Sequence, residues 1–230
     1  MKFDVLTLFP ELIESHMNFS IMKRAADENI IEVVTHNPRD YTLDKHKKVD
    51  DTPYGGGAGM VLMAQPYVDC YERINKSENN ITLMMTPQGE PYTDEISNKL
   101  AQYDQIIILC GHYEGFDERI RDIIKPREIS IGDFVLTGGE LPALCIIDSV
   151  SRKLDGTLGK IESAEEDSFS DGLLEYPQYT KPRNYRGLEV PEVLLNGNHK
   201  LIEEYRQEQK IARTKLKRPD LYEKWKNKNG

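Results

Sequence analysis

Three glycine-containing segments, each following a run of apolar residues, are best suited to bind a small molecule. They are residues 86–89, 110–115 and 130–140. The apolar runs predict buried strands, and open α/β sheets bind ligands at the carboxyl ends of their strands. Glycine permits close approach of the backbone to a ligand. Any one segment could be an ordinary turn, but three in one sheet favour a binding site.

The glycine-rich segments lack the signatures of common nucleotide sites. Neither G-x-G-x-x-G nor G-x-x-x-x-G-K-[ST] follows a predicted strand, which argues against nicotinamide cofactors and P-loop nucleotides. A further segment, 54–60, has five glycines and alanines but no P-loop lysine, so we interpret it as a flexible hinge.

A cluster of carboxylates could supply a general base. It comprises Glu162, Glu165, Glu166, Asp167 and Asp171. Composition alone favours a solvated acidic linker, and it does not distinguish one carboxylate from another.

Apolar periodicity predicts the elements that position these segments. Strands are expected at 2–8, 30–35, 81–86, 105–110 and 128–131, and helices at 10–29, 66–76, 93–101, 116–124 and 139–154. This alternation predicts an α/β fold with a mostly parallel sheet and helices on both faces.

The remainder of the chain predicts a linker and a small helical domain. Gly, Ser and acidic residues at 155–172 indicate a flexible interdomain linker. Asn198 is a candidate N-cap for a helix to about residue 215, and Pro219 precedes a last short helix. We therefore expect domains at 1–154 and 173–230.

Charge is distributed unevenly along the chain. The formal net charge is −9, yet residues 199–230 carry ten lysines and arginines against five acidic residues. This tail is thus +5 and the rest −14, which indicates a local anionic partner. Cys70, Cys110 and Cys145 lie in apolar runs and are expected to pack as free thiols. With no secretory or membrane segment recognised, we expect a cytoplasmic protein that does not bind a membrane.

Four motifs carry a resemblance to a known family. They are 53–60, 111–115, 130–140 and 166–169, and they resemble those of the bacterial tRNA (guanine-N1)-methyltransferases, which belong to the knotted SPOUT class. The similarity extends over essentially the whole chain. It implies a SPOUT-type trefoil knot in the first domain, a feature that periodicity does not predict.

The resemblance also implies a cofactor and its binding residues. S-adenosylmethionine would lie bent among the three segments. Its sulfonium is a good leaving group, so no metal is needed for its departure. The implied cofactor-binding residues are Thr86, Pro87, Gly111, Tyr113, Glu114, Ser130, Ile131, Gly132, Asp133, Phe134, Val135, Leu136, Gly138 and Gly139. His112 stands where many family members have arginine, so a role requiring a permanent charge is not implied.

The family reaction is methylation of guanine N1 in tRNA, at the guanosine just 3′ of the anticodon, position 37. N1 carries a proton, so a general base is needed. The resemblance selects Asp167 as this base and Arg152 as its electrostatic partner, and it implies a homodimer with the active site at the subunit interface. The basic tail would bind tRNA. The alternatives are a knotted 2′-O-ribose RNA methyltransferase and a noncatalytic RNA-binding module.

Overall fold

A computed structural model describes residues 1–158 and 167–229. The chain divides into two compact units, Met1–Gly159 and Lys160–Gly230. Three of the candidate bases, Glu162, Glu165 and Glu166, lie outside the described residues. Within the described ranges, no helix combines the length and the apolar character needed to cross a membrane.

The first unit is built on a five-stranded parallel sheet, as the alternation of elements predicts. Its strands are β1 (Lys2–Leu6), β2 (Glu32–His36), β5 (Asn80–Pro91), β6 (Gln105–Cys110) and β7 (Arg127–Ser130). Their order is β2-β1-β6-β5-β7, and every neighbouring pair is parallel. Two short strands, β3 (Asp50–Asp51) and β4 (Val61–Leu62), form a separate antiparallel pair.

Helices cover both faces of this sheet. They are α1 (Pro10–Met17), α2 (Ser20–Asp27), α3 (Ala64–Glu72), α4 (Asp94–Leu100), α5 (Arg119–Ile124) and α6 (Glu140–Ser151). Strand β6 is buried throughout, and its side chains alternate between two apolar clusters. Ile106 and Ile108 pack with α1, α2, α4 and α6, whereas Ile107 and Leu109 pack with α3 and α5. The helices on both faces were expected from the sequence.

Three local predictions are wrong. The single helix predicted at 10–29 is two helices, because Ser20 has a left-handed φ of 50° that interrupts the helical backbone. Residues 86–89 do not follow β5 but form an irregularity within it, since β5 pairs with β7 both at Met85 and at Glu90. Cys145 is exposed, because α6 buries Ala143 and Ile146 on its other face.

Both described ends of the predicted linker are packed against their own unit. Thr157 is fully buried, and its carbonyl oxygen accepts a hydrogen bond from Arg24 Nη2 at 2.8 Å. In the second unit, the Phe169 N–H donates to the carbonyl of the fully buried Leu173 at 2.7 Å. Order thus extends into the predicted linker from both sides.

The second unit contains a hairpin and two helices. The strands are β8 (Asn184–Tyr185) and β9 (Leu188–Glu189), and the helices are α7 (His199–Lys217) and α8 (Pro219–Asn229). Asn198 caps α7, as predicted, because its side-chain oxygen accepts from the Leu201 N–H at 3.4 Å. Thr214 is fully buried and bonds the Leu174 N–H at 2.8 Å, which fixes the chain after Asp167 to α7.

Candidate functional site

A cavity of about 420 Å³ opens in the first unit, where the segments following β6 and β7 meet the irregularity in β5. This volume is within the range of small-molecule sites. Of the residues predicted to bind a cofactor, the lining contains Thr86, Pro87, Gly111, Tyr113, Glu114, Ser130, Ile131, Gly132, Phe134, Val135, Leu136, Gly138 and Gly139. Asp133 is exposed and does not line the cavity.

The segment after β6 forms one wall in a fixed conformation. Tyr113 has a left-handed φ of 59°, which is unfavourable for a residue with a side chain. The Gly115 N–H donates to the His112 carbonyl at 3.0 Å, and the Glu114 N–H donates to the Met60 carbonyl at 3.0 Å. These bonds hold the turn and connect it to the glycine-rich segment 54–60.

The segment after β7 requires glycine because it contacts the end of β6 through the backbone. The Gly139 N–H donates to the Gly111 carbonyl at 2.9 Å. A Cβ atom on Gly139 would lie 2.7 Å from Cys110 Cα, and one on Gly132 would lie 2.4 Å from Phe134 Cε1. Two cavity segments that are distant in sequence therefore pack directly on each other.

Two basic side chains of the cavity wall lie beside carboxylates. Arg121 lines the cavity, with its Nη1 atom 2.9 Å from Glu118 Oε2 and its Nε atom 3.1 Å from Glu128 Oε2. His112 also lines it, and its Nε2 atom lies 2.7 Å from Glu140 Oε2. The cavity thus combines apolar side chains and backbone groups with one ion-paired arginine and the carboxylates of Glu114 and Glu118.

Covalent catalysis by a cysteine is disfavoured beside this cavity. Cys110 is fully buried, and burial raises the pKa of its thiol well above the ordinary range. The thiol is therefore protonated at neutral pH, whereas a nucleophilic cysteine reacts as the thiolate. Among the residues that the structure describes, no group of three histidine, cysteine or acidic side chains could hold a metal ion.

The two predicted catalytic residues do not line the cavity. Arg152 is the C-cap of α6, whereas Gly139, at the opposite end of this helix, lines the cavity. A helix of 12 residues is about 18 Å long, so Arg152 is distant from the cavity of its own chain. Asp167 belongs to the second unit, where its carbonyl oxygen accepts from Ser170 Oγ at 2.8 Å.

Several basic residues of the tail interact within the second unit. Arg206 Nη1 is 2.9 Å from Glu203 Oε1, and its guanidinium lies over the Tyr176 ring. Lys210 pairs with Asp171, and Arg218 pairs with Asp220. In the described part of the chain, five exposed lysines of the tail form no ion pair: Lys215, Lys217, Lys224, Lys226 and Lys228.

The sequence did not predict several residues that line the cavity within or next to the three segments. Gln88, Phe116 and Thr137 line the cavity beside predicted residues, and Arg121 reaches it from the first turn of α5. Glu140 was part of a quoted motif but was not assigned to the site. Its burial at the start of α6 would not be expected for a carboxylate, and no sequence pattern signals it.

Comparisons with known proteins match this chain along nearly its full length. The model of the family described as tRNA (Guanine-1)-methyltransferase TrmD matches residues 1–224. A tRNA (guanine-N(1)-)-methyltransferase of Clostridioides difficile strain 630 is 55% identical over 227 residues, which cover 97% of this chain and 98% of the relative. The enzyme of that name from Staphylococcus epidermidis is 54% identical over 225 residues, 98% of this chain and 92% of the relative. That of Desulforamulus reducens is 51% identical over 224 residues, 96% and 88% respectively.

Proposed function

This chain belongs to the tRNA (guanine-1)-methyltransferase family, and we propose that it methylates N1 of the guanosine just 3′ of the anticodon, position 37, in tRNA. The methyl donor is S-adenosylmethionine. The observation that carries the proposal is the cavity, because two of the motifs that resemble those of the family, 111–115 and 130–140, come together there with residues 86–88 of β5.

The cavity fits a donor of this size and chemistry. Ile131, Phe134 and Leu136 offer apolar surface to an adenine ring, while Gly111 and Gly138 bring backbone groups to the same space. A Cβ atom built on Gly115 would meet no other atom within 4 Å, so this side of the wall has room for a ligand. Once bound, the donor supplies a methyl group on a sulfonium, a good leaving group.

Asp167 acts as the general base in this proposal. Guanine N1 forms a bond to the methyl carbon as the carbon–sulfur bond breaks, and the N1 proton passes to the Asp167 carboxylate. Arg152 is the electrostatic partner of Asp167 in this proposal and stabilises the negative charge of the carboxylate. The donor would thereby leave as S-adenosylhomocysteine, and the departure of this leaving group needs no metal ion.

A homodimer supplies Asp167 and Arg152 to the cavity of the partner. In support of this arrangement, Arg152 is remote from the cavity of its own chain. Large apolar side chains that do not line the cavity are also exposed on and beside α1 and α6, as expected for a surface that a second subunit covers: Phe9, Leu12 and Leu141. The active site would then be complete only at the subunit interface.

The first unit forms the trefoil knot of the SPOUT class in this proposal. In support of a knot, the segment after β7 packs closely against the end of β6, where the Gly139 N–H donates to the Gly111 carbonyl. The second unit acts as the small helical tRNA-binding domain. Lys217, Lys224, Lys226 and Lys228 are available for phosphates, and the protein acts in the cytoplasm.

Analysis of the methylated nucleoside tests this function. The purified protein is incubated with tRNA and methyl-labelled S-adenosylmethionine, and the RNA is digested to nucleosides. N1-methylguanosine is the expected product. A 2′-O-methylated nucleoside would instead identify the knotted ribose methyltransferase, and RNA binding without transfer would identify a binding module.

A further inference from the structure

A buried carboxylate lies directly behind the cavity wall. Glu140, the first residue of α6, is 2% exposed, does not line the cavity and has no part in the proposed chemistry. Its Oε1 accepts from Thr7 Oγ1 at 2.6 Å, and its Oε2 is 2.7 Å from His112 Nε2. A buried charge is costly unless it is hydrogen-bonded, and its position at a helix N-terminus also favours the carboxylate.

His112 is held from two directions. Glu140 bonds its Nε2 atom, and the ring of Phe9 packs against the imidazole with 4.6 Å between centroids. Gly138 leaves the space for this arrangement, since a Cβ atom there would lie 2.3 Å from His112 Cε1 and 2.6 Å from Glu140 Oε2. The imidazole is therefore fixed at the edge of the cavity.

Fixing His112 also fixes the residue that follows it. Tyr113 lines the cavity in a left-handed conformation, which costs free energy and persists only when the surrounding structure enforces it. Its side chain is half exposed and provides little anchoring of its own. The adjacent His112, tied to Glu140 and bridged to Gly138 through the backbone, provides this anchor.

We propose that Glu140 is a positioning residue for the methyl donor. By holding His112, it keeps Tyr113 and the rest of segment 111–115 in the conformation that lines the cavity. The inference rests on the proposed function, because the donor is the ligand that this segment would bind. Thr7 has a different part, since it bonds the other carboxylate oxygen and does not touch the cavity wall.

Calorimetric titration with S-adenosylhomocysteine tests this role. Glu140→Ala and His112→Ala are each expected to raise the Kd by about tenfold or more, a change that corresponds to about 1.4 kcal/mol. Glu140→Gln retains an oxygen for His112, and its Kd is expected within about threefold of wild type. Circular dichroism and thermal unfolding establish that each variant is folded.

Thr7→Val is the matched structural control. It removes the other hydrogen bond of Glu140 and the bond from the Phe9 N–H to Thr7 Oγ1, so its thermal midpoint should fall. Its Kd for S-adenosylhomocysteine should nevertheless rise less than that of Glu140→Ala, because Thr7→Val loosens Glu140 and Phe9 but leaves the contact between Glu140 and His112 in place.

The double variant His112→Ala/Glu140→Ala separates positioning from general destabilisation. If Glu140 acts through His112, the double variant binds S-adenosylhomocysteine no more weakly than the worse single variant. Three results would overturn the inference. The increases in Kd of the two single variants could multiply in the double variant, Glu140→Ala could bind with the wild-type Kd, or Thr7→Val could lose as much affinity as Glu140→Ala. Failure of the wild-type protein to bind this ligand would contradict the proposed function instead.

Discussion

At the scale of single residues, the proposed reaction depends on a proton acceptor, Asp167, that does not line the cavity. His112 and Glu140 pair with each other, and Cys110 is a protonated thiol. Asp167 begins the described part of the second unit, immediately before the turn at Ser170. Replacing the Asp167 carboxylate should therefore impair methyl transfer without weakening the binding of the donor.

We expect Asp167→Ala to lower the turnover number by about 10²–10⁴-fold, the typical contribution of a general base. Affinity for S-adenosylhomocysteine should remain unchanged, because the cavity is lined by the first unit. Single-turnover methyl transfer and calorimetric titration measure the two quantities. Turnover close to wild type would remove Asp167 from the role. Asp155→Ala, which removes an exposed carboxylate at the other end of the predicted linker, serves as the control.

A second residue-scale prediction concerns Asp4, which is fully buried in β1. Burial raises the pKa of its carboxyl, but hydrogen bonds from His36, Gln105 and Lys2 more than offset this, so its pKa is lowered. The unfolded chain therefore binds a proton more readily than the folded protein does. The resulting stability is present above the unfolded pKa, near 4, and is lost as pH falls through the lower folded value.

Asp4→Asn should remove this part of the pH dependence. Urea unfolding at pH 6 and below pH 4 measures it: the stability difference between wild type and variant should shrink at the acidic pH. Asp27→Asn, which alters only an exposed pair with Lys23, is the control with little expected effect. A difference that stays constant with pH would show that Asp4 does not contribute in this way.

At the scale of elements, the irregularity within β5 is the most specific feature. Gly89 passes so close to β7 that a Cβ atom would lie 2.4 Å from the Ile129 nitrogen and 2.5 Å from the Glu128 carbonyl carbon. Both neighbours are backbone atoms of the adjacent strand and cannot move aside independently. The irregularity also turns Thr86 and Pro87 into the cavity.

Gly89→Ala should therefore destabilise the protein by about 1–3 kcal/mol, the usual cost of overpacking. Urea unfolding of wild type and variant gives the difference in free energy. Gln88→Ala, an exposed neighbour in the same irregularity, should change stability by less than about 0.5 kcal/mol. Equal stability of Gly89→Ala and wild type would show that the two strands can separate without cost.

Sequence patterns predicted the elements well where burial alone determines them. Strand β6 has the predicted bounds because all six residues are buried between two helical layers. Sequence patterns did not predict the end of a helix that a single backbone angle causes, as at Ser20. They also did not predict that β5 continues beyond an irregularity in its register. They located the cavity segments through glycine, but not Glu140, because its partners Thr7 and His112 are remote in sequence.

At the scale of the whole molecule, the proposed dimer determines where catalysis occurs. Two inactive variants can be chosen with defects in different parts of the site. Asp167→Ala removes the base, and Gly111→Val fills the cavity, since a Cβ atom there would already lie 2.8 Å from the Phe116 ring. If each active site combines the cavity of one subunit with Asp167 of the other, a mixed dimer of the two variants contains one intact site.

Co-refolding the two variants should restore activity to about one quarter of wild type, because half of the dimers are mixed and each has one intact site. Methyl transfer by the mixture is compared with that of each variant refolded alone. Activity no greater than the mean of the two variants would show that Asp167 serves the cavity of its own chain.

Methyl transfer to two tRNA transcripts that differ by one base is the most direct test of methylation at guanine N1 of position 37. One transcript carries guanine just 3′ of the anticodon, and the other carries adenine at that position. With methyl-labelled S-adenosylmethionine, we expect N1-methylguanosine in the first transcript and no methyl transfer to the second. Equal transfer to both transcripts, a ribose-methylated product, or RNA binding without transfer would contradict it.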